Sequence, residues 1–206
     1  MKNCCILILF FFPFTLFARS VNDSAHANSM SDHYRFEAAF SFSETNGEVF
    51  PGLDIELDDH LTPRYALGVF FNNYEAATTE KYGYIVSNPG LDFGGVCLVN
   101  TFQLLNRPRN NVCLFARTGW MQVSLRKDYH PGFFFISTRR KNGYDPYKVA
   151  ADDFFEFAPG IQFSHVIAQK GTSFIGSIAW RQLAGESSFG NSSDFSGIEF
   201  SFGLCW

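Results

Sequence analysis

Residues 198–206 read Ile-Glu-Phe-Ser-Phe-Gly-Leu-Cys-Trp and alternate without a break. Ile198, Phe200, Phe202, Leu204 and Trp206 fall on one side, and Glu199, Ser201, Gly203 and Cys205 on the other. Side chains in a strand point to opposite faces with period two, so this is a strand with one greasy face and one small, polar or charged face. A soluble sheet can carry the same pattern, but soluble domains seldom end flush on a Trp with no exit segment.

The other end of the chain carries an address. Met1-Lys2 gives a short positive start, residues 6–17 are apolar apart from Pro13 and Thr15, and Ala18-Arg19-Ser20 offers the small residues a signal peptidase needs. A run of about 12 apolar residues falls short of the roughly 20 that span a bilayer as a helix. Ala25-His26-Ala27 is a second cleavage point, further from the run. Cys4 and Cys5 precede the run, so no cysteine stands where a lipoprotein needs one. The expected organisation is a signal peptide over 1–20, a short disordered segment over 21–32, and one domain over 33–206.

Within that domain no other stretch is apolar enough for a membrane helix, and the mean hydropathy is near zero. Phe is the signature excess, with 26 residues, and the clusters between Phe-rich stretches are Gly, Asn, Asp and Pro. This composition predicts an all-β domain. The net charge of −4 argues against nucleic acid as a partner.

Eight strands follow from the alternation. Tyr34, Phe36, Ala38, Phe40 and Phe42 oppose Arg35, Glu37, Ala39, Ser41 and Ser43; Leu53, Ile55 and Leu57 oppose Asp54, Glu56 and Asp58; Tyr65, Leu67, Val69 and Phe71 oppose Arg64, Ala66, Gly68, Phe70 and Asn72. The fourth, over 91–102, is ambiguous, and its Gly94-Gly95 pair suggests a bulge. In the fifth, Val112, Leu114, Ala116 and Trp120 oppose Cys113, Phe115, Arg117, Gly119 and Met121. Phe155, Phe157, Pro159, Ile161 and Phe163 oppose Glu156, Ala158, Gly160, Gln162 and Ser164 in the sixth, and Phe174, Ile178 and Trp180 oppose Ser173, Ser177, Ala179 and Arg181 in the seventh. Short links at 59–63, 106–110 and 168–171 alternate with longer ones at 44–52, 75–90, 127–152 and 185–194. An even number of strands joined by alternating short and long links predicts an eight-stranded antiparallel up-and-down transmembrane β-barrel.

Alternation alone leaves the direction of the faces open, because a soluble lipocalin-like binding barrel also has eight strands with the faces reversed. The charges decide for the membrane reading. Arg35, Arg64, Arg117 and Arg181 share the polar faces with Glu37, Asp54, Glu56, Glu156 and Glu199, a nearly balanced set, among small residues that suit a narrow lumen. Trp120, Trp180, Trp206 and Tyr34 fall near strand ends, as interface girdles do. A lumen polar network of Glu37, Asp54, Glu56, Arg117, Glu156, Gln162, Arg181 and Glu199 is expected, with Glu37, Glu56, Glu156 and Glu199 pairing with Arg117 and Arg181.

On these strands, and on the tail ending at Trp206, the chain resembles the small OmpA/OmpX-type outer-membrane barrels. The resemblance covers about residues 33–206. It implies the outer membrane of a Gram-negative bacterium, a closed lumen, and assembly machinery that reads Phe200, Phe202, Leu204 and Trp206. It also implies outer-membrane lipid and lipopolysaccharide as surroundings, and a structural, adhesive or surface-interaction role. A narrow porin-like solute channel and a lipid A deacylase-like hydrolase are the alternatives. The deacylases carry a His-x-Ser-Asn motif, and the matching stretch here is Arg181-Gln182-Leu183-Ala184-Gly185, without base or nucleophile. Ser164 and His165, as strand neighbours, point to opposite faces.

No cofactor or metal is expected, since the histidines are scattered and Cys97, Cys113 and Cys205 lack ligand spacing. Cys97 is expected opposite residue 118 or 119, too far from Cys113 for a disulfide. The longest loop, 127–152, sets Tyr129 and other aromatics beside Arg139, Arg140 and Lys141, a combination suited to a surface ligand or to lipopolysaccharide phosphates.

Overall fold

The computed structural model describes residues 34–80, 82–129, 147–168 and 172–206. Eight antiparallel strands close into a barrel, each paired with its sequence neighbours and the last with the first. They are β1 (Tyr34–Thr45), β2 (Glu48–Thr62), β3 (Tyr65–Ala77), β4 (Gly90–Asn106), β5 (Asn110–Arg126), β6 (Lys148–Val166), β7 (Ser173–Ala184) and β8 (Gly197–Cys205). The tail closes the barrel: Phe40 faces Phe202 across the β1–β8 seam, and Phe36 and Trp206 exchange both backbone hydrogen bonds at 3.0 and 2.9 Å. Closure removes the unpaired edges that an open sheet would present.

Two differences from the sequence reading have local causes. The link between β1 and β2 is a tight hairpin, not a longer loop over 44–52. Asn46 and Gly47 both take positive φ, 51° and 78°, the backbone a two-residue primed turn requires, so the strands pair up to Thr45 and Glu48. The pairing is also regular through Gly94-Gly95, and the β4 irregularity lies at Gln103/Leu105, beside the turn to β5. Both strands of the β5–β6 hairpin run further than expected, to Arg126 and from Lys148, and 130–146 lie outside the described residues.

The barrel has a turn end, where the short links, Tyr34 and Trp206 lie, and a loop end. Over most of its height the outward row is apolar and exposed: Phe40, Ile55, Phe71, Leu98, Leu114, Ile161, Ile178 and Phe200. Toward the loop end the polarity reverses. Beyond Trp120 on β5 the outward row becomes Gln122 and Arg126, beyond Phe155 on β6 it becomes Asp153, and on β4 it becomes Asp92. The inward row on the same strands turns apolar. Phe50, Tyr74, Leu91, Phe93, Met121, Val123, Leu125, Phe154 and Leu183 form a buried cluster. On β3, β5 and β6 the outer row is therefore apolar on the turn side of this level and polar beyond it, where apolar side chains point inward instead; on β4 the inner row, with Cys97, Val99, Leu91 and Phe93, is apolar on both sides.

The level can be placed. Trp120 and Phe155 are direct partners across β5–β6, with Trp180 exposed on β7. From Val112 to Trp120 the outward band runs about 27 Å along β5, or about 21 Å along the axis at a strand tilt of about 40°. Trp206 packs on Phe36 with ring centroids 5.7 Å apart and marks the opposite rim.

Candidate functional site

The interior is filled in layers from the turn end to the loop end. Arg35 lies innermost at the turn end and is shared by three carboxylates. Its Nε and Nη2 donate to Asp58 Oδ2 at 3.0 and 2.5 Å, and Nη2 lies 2.9 Å from Glu37 Oε1 and 3.5 Å from Glu56 Oε1. Gln162 Nε2 then donates to Glu37 Oε2 at 2.8 Å. Gly68 makes room for this layer, since a Cβ there would sit 2.0 Å from Asp58 Oδ1. Carboxylate oxygens of Glu37, Glu56 and Asp58 lie within 4.8 Å of one another, a spacing able to hold a cation, and the Arg35 guanidinium supplies positive charge to all three.

Arg117 organises the middle layer. Its Nη2 donates to Glu199 Oε1 at 2.5 Å, and its guanidinium carbon stands 4.0 Å from the Phe70 ring centroid. Asp54 Oδ1 accepts from Ser41 at 2.9 Å and from Tyr74 at 3.0 Å, while Cys97 donates to Glu156 at 3.3 Å. The space left among these groups is about 20 Å³, room for a single water.

Arg181, fully buried, caps the polar column. It donates to Thr45 Oγ1 at 3.0 Å and to the Phe195 carbonyl at 3.3 Å, and it lies 5.0 Å from the Phe93 ring and 5.3 Å from that of Tyr74. Above it the β7–β8 link turns inward through a short 3-10 helix, Ser192–Phe195, and drives Phe189 and Phe195 into the apolar cluster. Phe195 contacts Phe93, Phe154, Phe189 and Tyr82 at centroid separations of 5.4 to 6.4 Å. Asp152 latches this link from β6, accepting from the Ser187 hydroxyl at 2.8 Å and from Ser188 N–H at 2.6 Å. Burial pushes its carboxyl up, but the Ser187, Ser188 and Phe189 hydrogen bonds together outweigh that and hold it below the usual carboxylate range. Glu48 makes a second latch, accepting from Thr79 N–H at 2.7 Å.

All eight residues expected in the lumen are buried inside, but the pairing differs from the expected one. Glu37 and Glu56 pair with Arg35, which is near them in height, rather than with Arg117 or Arg181. Among the described residues Arg181 makes no ion pair, bonding instead to neutral oxygens. Arg64 is exposed at the turn between β2 and β3, and Asp58 takes a place in the interior. The column thus holds six carboxyls, of Glu37, Asp54, Glu56, Asp58, Glu156 and Glu199, against the guanidiniums of Arg35, Arg117 and Arg181.

At the surface, Tyr129 is buried and not displayed. Its ring covers Gly90, its N–H donates to the Asn88 carbonyl at 2.9 Å, and burial, with Glu75 and Asp92 adding, pushes its phenol up to about 12. Arg139, Arg140 and Lys141 lie outside the described residues, as do the signal-peptide segment and 21–32. Phe200, Phe202, Leu204 and Trp206 are exposed on the outer face of the closing strand. Cys97 faces Gly119 across β4–β5, and Cys97, Cys113 and Cys205 are free thiols. His165 Nδ1 is 2.7 Å from Asn110 Oδ1 at the turn end, far along the axis from Ser187 and Ser188 at the loop end.

In three dimensions the chain is similar to neisserial surface protein A, at 10% identity over 84% of this chain and 94% of that one, with a TM-score of 0.55. It is also similar to a major outer membrane protein from Thermus thermophilus, at 8% identity over 84% of this chain and 97% of that one, with a TM-score of 0.50. The likeness is one of fold: the chain is an eight-stranded barrel of the small outer-membrane type. No family model matches the sequence, and no curated protein is similar to it.

Proposed function

We propose that the protein is an exported outer-membrane barrel that works through its outer surface and not through its lumen, as a structural or surface-interaction protein. The observation that carries this reading is the reversal of polarity along the strands at the level of Trp120 and Phe155. Lipid on one side of that level and water on the other accounts for both rows of side chains at once, whereas a wholly soluble barrel would leave the exposed Phe and Ile rows in water. On this reading the turn end is periplasmic and the loop end faces outward. Lipopolysaccharide surrounds the rim, and the outer row of Phe200, Phe202, Leu204 and Trp206 is what the assembly machinery reads.

The filled interior argues against a solute channel. The polar column leaves about 20 Å³, and the aromatic cluster closes the loop end over it. A pore would need the β7–β8 link to leave the mouth and Arg181 to leave its partners. In planar bilayers the refolded protein is expected to give no single-channel steps, and in the membrane fraction it is expected to migrate differently boiled and unboiled. Regular conductance steps would overturn the closed-lumen reading, and an absent gel shift would overturn the membrane reading. Replacing Arg139, Arg140 and Lys141 with Ser tests whether that loop grips lipopolysaccharide phosphates: reduced association is expected.

A further inference from the structure

A cleft of about 280 Å³ opens at the turn end of the barrel and is unlike the filled column above it. That is the room of about nine waters, taking roughly 30 Å³ each, and enough for a phosphate carrying a short head group. Its mouth and its floor differ in charge. At the mouth stands Arg64, exposed and making no ion pair among the described residues. At the floor the cleft is lined by Arg35, whose guanidinium is shared by the carboxyls of Glu37, Glu56 and Asp58. Three carboxyls around one guanidinium make the floor acidic. Asn111 also lines the cleft, and its buried Oδ1 accepts no hydrogen bond from the described residues, which leaves an acceptor waiting for a donor.

The surface just outside the mouth is apolar. Leu61, on β2 where it approaches the link that carries Arg64, is exposed. So is Leu104, the next residue after Gln103, whose N–H donates to the Arg64 carbonyl at 2.8 Å. Tyr34 and Trp206 line the cleft itself and are exposed as well. A water-soluble phosphate ester could reach Arg64 but would leave this rim in water. A ligand with acyl chains covers the rim while its phosphate meets the guanidinium, whose fork of N–H donors matches phosphate oxygens.

We propose that this cleft is a site for a glycerophospholipid with an ethanolamine head. The phosphate sits on the Arg64 guanidinium, the ammonium turns toward the acidic floor and donates to Asn111 Oδ1, and the acyl chains lie over Leu61 and Leu104. The order of charge in the head, negative outside and positive inside, matches the order in the cleft. A glycerol head brings no positive charge to the floor, and a choline head has no N–H for Asn111 Oδ1. Both are therefore held less well. The inference rests on the reading of the chain as an outer-membrane barrel whose turn end faces the periplasm, since that orientation sets the mouth against phospholipid and not against lipopolysaccharide.

Native mass spectrometry of the refolded protein, taken from mixed lipid into detergent, measures which lipid stays bound. Phosphatidylethanolamine is expected to be held about tenfold more tightly than phosphatidylcholine or phosphatidylglycerol. Arg64→Gln should weaken the hold on all of them by about tenfold, while Asn111→Ala should erase the preference for ethanolamine over choline. Arg107 and Arg109, exposed in the β4–β5 turn and outside the cleft, serve as controls, and replacing both with Gln should change nothing. Equal retention of the three lipids, or unchanged retention in Arg64→Gln, overturns the proposal. An equal loss in the Arg107 and Arg109 variant assigns retention to diffuse basic attraction and overturns it as well. Soluble glycerophosphoethanolamine that displaces the lipid at equal concentration makes a free phosphate ester the occupant, with the same consequence. The gel shift of each variant reports the barrel separately, so failure of the membrane reading is not mistaken for failure of the lipid site.

Discussion

Arg117→Met and Glu199→Gln remove opposite halves of one buried pair, and the composition of the column predicts very different costs. Arg117 is 2% exposed, bonded to Glu199 at 2.5 Å and stacked on Phe70 at 4.0 Å. Removing one partner of a buried pair costs about 3–5 kcal/mol, because the charge left behind is uncompensated. Methionine fills the volume of the guanidinium stem but supplies no charge to Glu199, Glu156 or Asp54, and the contact over Phe70, worth up to about 2 kcal/mol, is lost with it. Arg117→Met is therefore expected to cost about 3–5 kcal/mol. Glu199→Gln leaves Arg117 with Asp54 and Glu156 still nearby, keeps an oxygen to accept from Nη2, and removes one of six carboxyls facing three guanidiniums. Its cost is expected to be about 1 kcal/mol or less. In the double variant the orphaned acid is gone, and about 2 kcal/mol of the Arg117→Met loss should return. Urea unfolding from lipid vesicles, followed by Trp fluorescence and by the gel shift, measures all three. Equal costs for the two single variants, or strict additivity in the double, would refute the charge accounting.

The other expectations concern the two ends of the barrel and the boundary between them. Arg placed at Ala116, near the middle of the outward band on β5, should destabilise by about 2–4 kcal/mol, and Arg at Gln122, beyond Trp120, by less than about 0.5 kcal/mol; equal costs would put the boundary elsewhere. Phe195→Ala should cost about 3–5 kcal/mol by opening a cavity in the aromatic cluster, while planar bilayers still show no conductance because Arg181 and the column beneath remain. The Asp152 latch has a depressed carboxyl, so its contribution is fully present above the unfolded value of about 3.9 and is lost as pH falls through the lower folded value. Proteolysis within 185–191 should therefore be unchanged from pH 7 to 5 and accelerate only in stronger acid, whereas Asp152→Asn should accelerate it at every pH.

How far the sequence could be read depended on how each side chain carries its signal. Strand facing was legible wherever inside and outside differ in polarity, as with Phe36, Ala38 and Phe40 against Arg35, Glu37 and Ser41. It failed on β4 because Leu91, Phe93, Cys97 and Val99, which face inward, are as apolar as Val96 and Leu98, which face outward. The eight lumen residues were legible as types on a face, but their partners were not. Height along the barrel is set by tilt and shear, so nothing local told Glu199 that Arg117 was its neighbour or Glu56 that Arg35 was nearer than Arg117, whereas Arg35 beside Glu37, two residues away on the same face, was legible and was passed over. The hairpin at Asn46-Gly47 did carry its signal, an Asn-Gly pair between alternating stretches, which outweighs the loop length read from polar residues alone. The inward turn of Phe189 and Phe195 carried none, since two aromatics in a Ser- and Gly-rich link look the same whether displayed or buried.

The reversal of polarity also bears on where the stability of this barrel resides. A column of buried ion pairs is weak evidence for stability, because desolvation consumes most of what pairing returns, and here three carboxyls exceed the guanidiniums. The aromatic cluster at the loop end has no such cost. Phe50, Phe93, Phe154, Phe189 and Phe195 are each almost fully buried, and each such side chain contributes about 1.5–3 kcal/mol on burial. On that accounting the end outside the membrane resembles the core of a small soluble barrel built onto a membrane-spanning one, and it does not need lipid to stay packed. A rigid outer end with a latched β7–β8 link suits a protein that presents a fixed surface, and it opposes the hinged or open mouth that transport would require.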